Sequence, residues 1–171
     1  MTQARDPRFA PPQADVADVA DVADIRTPSY PRGAPALWNP DAAANWSLLL
    51  TPAFGAFLHM KNWQSLGDER KAAASRTWFI TVIVVFTLSA LATSLLPDNK
   101  VDGVGRAVGI GMLIAWYFQS ARQQATFVKG RYGKAYPRKG WLKALALGVL
   151  GLVAFVAALA LVGFVVGSLT A

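Results

Sequence analysis

Two long stretches without a charged residue dominate the hydrophobic pattern of the chain. Residues 77–96 are 20 uncharged residues, and residues 144–169 are 26. As α-helices they are about 30 Å and about 39 Å long, whereas the hydrocarbon core of a bilayer is about 30 Å thick. The pattern therefore predicts that both stretches cross a membrane, the longer one with a tilt.

A third candidate lies between these two stretches and is shorter. Arg106 and Arg122 bracket 15 uncharged residues, which form about 22 Å of helix. Val104 and Gly105 extend the apolar stretch, because the long side chain of Arg106 can reach back to the membrane surface. Residues 104–121 are therefore a third candidate span, which length alone leaves marginal.

Lysine and arginine are distributed unevenly between the segments that connect these stretches. Residues 60–76 carry four of them, residues 97–106 carry two, and residues 122–143 carry seven. Basic residues accumulate on the cytoplasmic side of membrane proteins, and this series fits that rule only if residues 77–96 and 104–121 both cross. We therefore expect a multi-pass protein of the bacterial inner membrane. The loops 60–76 and 122–143 would be cytoplasmic and the C-terminus periplasmic.

The basic segment 122–143 is the most distinctive polar feature, and it contains no acidic residue. We expect its cations to contact anionic lipid headgroups, at about 1 kcal/mol per basic residue. A protein partner or the acidic stretch 14–25 is an alternative contact. Aromatic residues lie between the cations, as in some nucleic-acid-binding proteins, but membrane topology explains the charge and we expect no nucleic-acid partner. The cations are Arg122, Lys129, Arg131, Lys134, Arg138, Lys139 and Lys143.

Residues 1–40 predict a disordered tail that precedes a helical membrane domain at 41–171. The stretch ADVADVADVADI, residues 14–25, has a three-residue period that matches neither a helix nor a strand. Its aspartates would also repel one another on a helix. A low-complexity solvated tail explains the stretch. A sharper interpretation is that the acidic tail docks on the basic residues 122–143.

The segment 45–63, NWSLLLTPAFGAFLHMKNW, holds an apolar run of 14 residues, which is short for a full span. Pro52 and Gly55 both weaken a continuous helix. These features favour a bent or re-entrant segment, which would leave the N-terminal tail in the cytoplasm. A full fourth span is the alternative, because Trp46 and Trp63 are about 25 Å apart along a straight helix.

Tryptophan and glycine suggest two further roles in the membrane domain. Indole rings favour the membrane interface, so the tryptophans near segment ends are interpreted as interfacial anchors. These are Trp46, Trp63, Trp78, Trp116 and Trp141. Small residues four positions apart let helix backbones approach closely, within the chain or between copies. We expect such packing at Gly105, Gly109, Gly111, Gly163 and Gly167.

The stretch WNPDAAANWSLLLTPAFGAFLHMKNWQSLGDERKA, residues 38–72, resembles a segment of small uncharacterised proteobacterial inner-membrane proteins. In those proteins an Asn-Trp-x-x-Leu-Gly element follows a Pro/Gly-interrupted apolar stretch. The resemblance covers a fifth of the chain. It implies a membrane location and a shared architecture, with no assigned activity and no catalytic residue. Gly67 at a helix end, with Asp68 and Glu69 in the next first turn, agrees with this motif.

Few residues are available for catalysis or for holding a cofactor. The chain has no cysteine and His59 is its only histidine, so thiolate chemistry and a structural zinc site are not expected. The interiors of the candidate spans lack the ionisable groups that proton relays and ion pathways need. We expect no enzymatic activity, no cofactor and no metal. His59 is interpreted as an interfacial polar residue, or alternatively as a ligand or proton carrier.

Composition agrees with this picture, because 54% of residues are hydrophobic and only 16% are charged. An ordinary soluble domain has about 25% charged residues. The sequence thus predicts an all-α polytopic membrane protein with three spans and one short interrupted segment. We expect an accessory or scaffold subunit that contacts a membrane-protein partner or further copies of itself. A small oligomeric transporter or channel, and an immunity-type protein against an inner-membrane toxin, are alternatives.

Overall fold

A computed structural model gives the structure of residues 30, 31, 33–95 and 99–170. Every named element within those ranges is a helix, which confirms the all-α prediction for them. The predicted tail falls mostly on residues 1–29, which lie outside the described ranges, as does the acidic stretch. The helices are α1 (Pro40–Ser65), α2 (Glu69–Leu95), α3 (Asn99–Trp116), a π-helical turn (Tyr117–Ala121), α4 (Arg122–Tyr132) and α5 (Leu142–Thr170).

The helix α1 is a hairpin, because its backbone reverses direction at Thr51. That residue has φ 78° and ψ 156°, outside the helical region. The arms 40–50 and 52–65 run antiparallel, so that the Nε2 atom of His59 lies 3.4 Å from the carbonyl oxygen of Pro40. In a straight helix these two residues would be about 28 Å apart. The predicted bent segment is therefore confirmed, and the alternative of a straight fourth span is wrong.

The sequence explains where the hairpin turns. A residue that precedes proline is pushed away from the helical region, and Thr51 precedes Pro52. Pro52 is the first helical residue of the second arm, where its missing N–H is not needed for the helix. Gly55 then allows the two arms to meet, because a β-carbon there would overlap the Oγ atom of Ser47. The proline thus begins a helical arm.

A tight turn joins α1 to α2. Gly67 has φ 76°, and its N–H donates to the carbonyl of Gln64 at 3.1 Å, while the N–H of Asp68 donates to the carbonyl of Trp63 at 3.0 Å. This pair of bonds is the Schellman ending of a helix. Asp68 also caps α2, since its Oδ1 accepts the backbone N–H of Lys71 at 3.0 Å. That bond and the Lys71 ammonium lower the pKa of Asp68.

The helix α3, the π-helical turn and α4 form one uninterrupted helix from residue 99 to residue 132, about 51 Å long. The sequence predicted a loop from residue 122, so this boundary is corrected: the loop comprises residues 133–141. Charge alone had marked the boundary, but lysine, arginine and glutamine are good helix formers. The helix ends at Gly133, whose φ of 58° favours glycine.

Two helices are long and apolar enough to cross a membrane. Their qualifying stretches are Glu69–Thr93 in α2 and Leu142–Ser168 in α5, judged by length and composition. In the most apolar 18 residues of each helix, only 6% of the residues in α2 and none in α5 are buried within the protein. Residues 104–121, the third predicted span, are not among the helices that meet this criterion.

Several helix ends meet at one end of the unit formed by residues 31–171, which we call the basic cap. It comprises residues 33–41, 59–72 and 122–143. Within it Leu37 is fully buried; its N–H donates to the carbonyl of Pro137 at 3.0 Å, and its carbonyl accepts the N–H of Lys139 at 2.9 Å. Residues 33–39 therefore belong to the folded part, which corrects their assignment to the tail. Local composition cannot reveal this contact, because its partner is 100 residues away.

Candidate functional site

Two buried amide side chains join α1 to α4 beneath the surface of the basic cap. The Nδ2 group of Asn62 donates to the Oε1 atom of Gln124 at 3.0 Å and to the carbonyl of Trp38 at 2.8 Å. The N–H of Trp38 donates back to the Oδ1 atom of Asn62 at 3.0 Å. The Nε2 group of Gln124 donates to the carbonyl of His59 at 2.9 Å. Since every polar atom of both amides has a partner, this network stabilises one arrangement of the cap.

His59 lies beside this network, fully buried, with its ring centroid 5.4 Å from that of Trp116. Burial lowers the pKa of His59 to about 4, although the Pro40 carbonyl and Asp41 oppose the shift. The imidazole is therefore neutral at pH 7. Because a carbonyl only accepts, Nε2 carries the proton toward Pro40 and Nδ1 is an acceptor. The interpretation of His59 as an interfacial residue is wrong, since it faces the protein interior.

Two polar atoms at the contact of His59 and Trp116 are buried and have no hydrogen-bond partner within the described ranges. They are the Nδ1 atom of His59, an acceptor, and the Nε1 group of Trp116, a donor. The π-helical turn follows directly after Trp116, and Ser120 and Ala121 within it are buried. Such turns are frequent at functional sites, which makes this region the candidate site.

Close backbone packing brings α1 against this turn. At Gly55 a β-carbon would lie 2.7 Å from the Cζ2 atom of the Trp116 ring and would overlap other atoms of that ring and of Ser47. Ser47 itself is buried, and its hydroxyl donates to the carbonyl of Ala43 at 2.8 Å. A glycine is thus needed where both arms of α1 meet α3.

A groove of about 190 Å³ opens beside this contact. It lies between the first arm of α1 and the junction of α3 with the π-helical turn. Its lining is mostly apolar, with polar groups on Asn45, Trp116 and Tyr117, and Leu48 on its rim is 68% exposed. The backbone N–H of Arg122 donates to the carbonyl of Tyr117, so Arg122 lies one turn beyond the groove. The lining residues are Ala44, Asn45, Leu48, Leu113, Ile114, Trp116, Tyr117 and Phe118.

The predicted headgroup-binding cations lie on α4, on the loop 133–141 and on the first turn of α5. Lys129 pairs with Asp41 at 3.0 Å, and both side chains are largely exposed, which makes the pair weak. Lys139 lies 4.5 Å from the ring centre of Trp38 and donates to the Oγ atom of Ser65 at 3.1 Å, and burial lowers its pKa. The exposed remainder are Arg122, Arg131, Lys134, Arg138 and Lys143.

The five predicted interfacial tryptophans occupy different environments. Trp63 and Trp116 are buried, with 1% and 0% of their surface exposed. Trp63 packs against the ring of Phe127, with centroids 5.1 Å apart, and lies under the ammonium of Lys71. The anchor interpretation is therefore wrong for Trp63 and Trp116, because tertiary contacts cover them. The partly exposed ones, for which it stays a prediction, are Trp46, Trp78 and Trp141.

Most of the predicted packing glycines do not pack closely within the chain. At Gly105 and Gly111 a β-carbon would meet nothing within 4 Å, and at Gly109 it would lie 4.0 Å from the ring of Phe86. Close packing inside the chain is thus wrong for Gly105 and Gly111, and for Gly167, where a β-carbon also meets nothing within 4 Å. Packing of these three glycines between copies stays a prediction, and so does the role assigned to Gly163.

The glycines that do make close contacts are Gly55 and Gly148. At Gly148 a β-carbon would lie 2.7 Å from the ring of Phe54 and 3.1 Å from a methyl group of Leu50. The sequence identifies Gly55 only as a helix breaker. It gave no signal for Gly148, which lies in a uniformly apolar run. Asn62 and Gln124 were also missed, since nothing local marks a partner 62 residues away.

Within the described ranges no group of three or more His, Cys, Asp or Glu side chains could hold a metal ion. Comparisons with protein-family models, with curated proteins and with solved structures found no match to this chain.

Proposed function

We propose that the protein is a multi-pass inner-membrane protein without catalytic activity, which acts as an accessory or scaffold subunit through its basic cap. One contrast carries this proposal. The cap is a folded unit with a charged surface, whereas α5 leaves it as an apolar helix that exposes large side chains over most of its surface. Only one stripe of α5, which includes Leu145 and Leu152, is partly covered by the rest of the protein. Contiguous apolar surface of that extent marks a membrane or a partner. Among the exposed side chains of α5 are Leu150, Val153, Val156, Leu161 and Phe164.

The direction of α3 supports a third span. A β-carbon at Gly109 would be 4.0 Å from Phe86, while Trp116 and Trp78 belong to one apolar cluster. As residue numbers rise along α2 they fall along α3, so the two helices are antiparallel. Because α2 begins in the basic cap and α4 ends in it, a crossing by α2 requires residues 104–121 to return across the membrane.

Contacts at the tip of the α1 hairpin indicate how deep it reaches. Phe79 packs on Phe57, Gly148 lies against Phe54, and Trp116 lies against Gly55. Phe79, Gly148 and Trp116 each lie three to six positions from the nearest basic residue of their own helix. That spacing is about 5–9 Å along the helix. The hairpin thus enters the outer part of the bilayer without crossing it, in this proposal. The basic residues are Arg76, Lys143 and Arg122.

The cap itself offers the surface for a partner. Its buried polar side chains bond to one another and to the backbone, as the network of Asn62 and Gln124 shows. That arrangement suits a rigid binding surface, and the exposed cations around it suit an acidic partner surface or anionic lipid.

The test is purification of the tagged full chain from cross-linked native membranes in a mild detergent, followed by mass spectrometry. We expect a membrane protein in stoichiometric amount. The double variant Arg131→Gln/Lys134→Gln should lose it, because it removes two exposed cations of the cap. Arg106→Gln, which removes an exposed cation outside the cap, should retain it. Recovery of the chain alone, after effective cross-linking, would refute the scaffold role.

A further inference from the structure

The groove between the first arm of α1 and the π-helical turn is shaped for a narrow apolar ligand. Its volume of about 190 Å³ is below the roughly 300–1,000 Å³ of ordinary small-molecule pockets. We propose that it binds one acyl chain of an anionic phospholipid, whose phosphate is held by Arg122. This proposal rests on the membrane location proposed above and adds a specific lipid site to it.

The π-helical turn sets the position of Arg122 relative to the groove. In an α-helix the N–H of residue 122 would bond to the carbonyl four positions earlier, whereas here it bonds to that of Tyr117, five positions earlier. The backbone of Arg122 therefore lies one helical turn after Tyr117, which lines the groove. Arg122 is exposed and lies on the side of the groove nearer the basic cap, where a headgroup would be. Arginine suits phosphate because it can donate two parallel hydrogen bonds.

Among the charged residues near the mouth of the groove, Arg122 is the one that would attract a phosphate. Asp41 lies one helical turn from Asn45 on the first arm and would repel a phosphate. It is already paired with Lys129 at 3.0 Å, so that the two charges offset each other. Asn45 adds an amide to the lining, which can donate to a phosphate or ester oxygen.

The dimensions and surroundings of the groove favour a lipid chain over a helix. A helix with its side chains is about 10 Å across, so it would lie over a groove of about 190 Å³ and not inside it. The rim is apolar and faces outward, since Leu48, Ile114 and Phe118 are each more than half exposed. In the proposed topology this rim faces hydrocarbon just below the plane of basic residues, where acyl chains begin.

Native mass spectrometry of the full chain in detergent tests the site by titration with phosphatidylglycerol or phosphatidylcholine. We expect one tightly bound phosphatidylglycerol, preferred about fivefold, because one basic residue near an anionic headgroup contributes about 1 kcal/mol. Arg122→Gln should abolish the preference, whereas Arg131→Gln should keep it. Leu48→Trp, which fills the groove from its rim, should weaken binding of both lipids. Leu49→Trp, at a neighbouring residue outside the lining, should not.

The outcomes that overturn the site are specific. Equal binding of both lipids would show only unselective lipid around the helices. A preference unchanged by Arg122→Gln would assign the selectivity to other cations and refute the role of Arg122. A dimer that phosphatidylglycerol does not displace would assign the groove to a second copy. An alkaline wash of membranes separates the two proposals: extraction of the chain refutes the membrane location and the site together. Retention without selective binding refutes the site alone.

Discussion

At the scale of single residues, Gly55 is the position with the least room. We predict that Gly55→Ala destabilises the protein by about 3 kcal/mol, because the added carbon overlaps both Ser47 and the Trp116 ring. The matched control is Gly151→Ala, where a β-carbon meets nothing within 4 Å. Thermal unfolding in a mild detergent measures the difference. Equal melting temperatures for the two variants would mean that the arms do not pack as described.

Burial of His59 makes stability depend on pH. The unfolded imidazole takes up a proton near pH 6.5, but the folded one does so only near pH 4. Between these values the unfolded chain binds more protons, so stability falls as the pH falls. From pH 7 to pH 5 the loss is about 2 kcal/mol.

The measurement is the melting temperature in detergent at several pH values, compared with that of His59→Gln. The wild-type chain should lose stability more steeply than the variant between pH 6.5 and pH 4.5. The carboxyl groups titrate in both proteins and cancel in the comparison. Parallel curves would show that His59 is not buried in its neutral form.

The identity of close-packed residues could be predicted from the sequence only in part. Small residues at spacings of four are visible, but their spacing does not say what lies opposite. Gly105 and Gly111 have the spacing and face open space, whereas Gly148 lies in a featureless apolar run and touches Phe54. The same limit applies to Trp63, whose environment is set by Phe127 on another helix.

At the scale of elements, the α1 hairpin depends on one unusual backbone conformation. Thr51 has φ 78° and ψ 156°, a region in which only glycine is at ease and β-branched residues are strained. We predict that Thr51→Gly stabilises the protein by about 1 kcal/mol, the relief of strain being partly offset by the flexibility of glycine in the unfolded chain.

A matched comparison for this prediction is Thr77→Gly. Thr77 is exposed and helical, so that glycine there should cost roughly 0.3 kcal/mol, the difference between the helix propensities of threonine and glycine. Unfolding both variants and the wild-type chain in the same detergent gives the change in the free energy of unfolding for each variant. Destabilisation of similar size in both variants would mean that Thr51 is helical and that α1 does not turn there.

The elements themselves divide into those that a local pattern determines and those that it does not. The uncharged stretches that became α2 and α5 were visible because hydropathy changes sharply at their ends. Pro52 and Gly55 marked the bend of α1, although not its antiparallel arms. The extent of α4 was missed because its cations were taken as the end of a helix, while helix propensity lets the helix continue to Gly133.

At the scale of the whole molecule, the basic cap links parts of the chain that the sequence assigned to separate regions. Leu37 bonds to the loop around Pro137, and Asn62 bonds to Gln124. Such long-range pairs leave no periodic signal, so the cap could not be predicted beyond its charge. These pairs have a consequence for the proposed membrane topology. Residues 33–41 and both ends of α1 must lie on the same side of the membrane as α4.

Single cysteines in the otherwise cysteine-free chain test this arrangement without truncating it. Ala36→Cys, Arg70→Cys and Lys134→Cys lie at exposed positions of the cap, and Gly103→Cys lies at an exposed position near the start of α3. With a membrane-impermeant maleimide, intact spheroplasts should label only Gly103→Cys, and lysed ones should label all four. If Ala36→Cys were labelled in intact cells while Arg70→Cys stayed protected, α1 would cross the membrane. The hairpin contacts between His59 and Pro40 make that crossing impossible without unfolding α1.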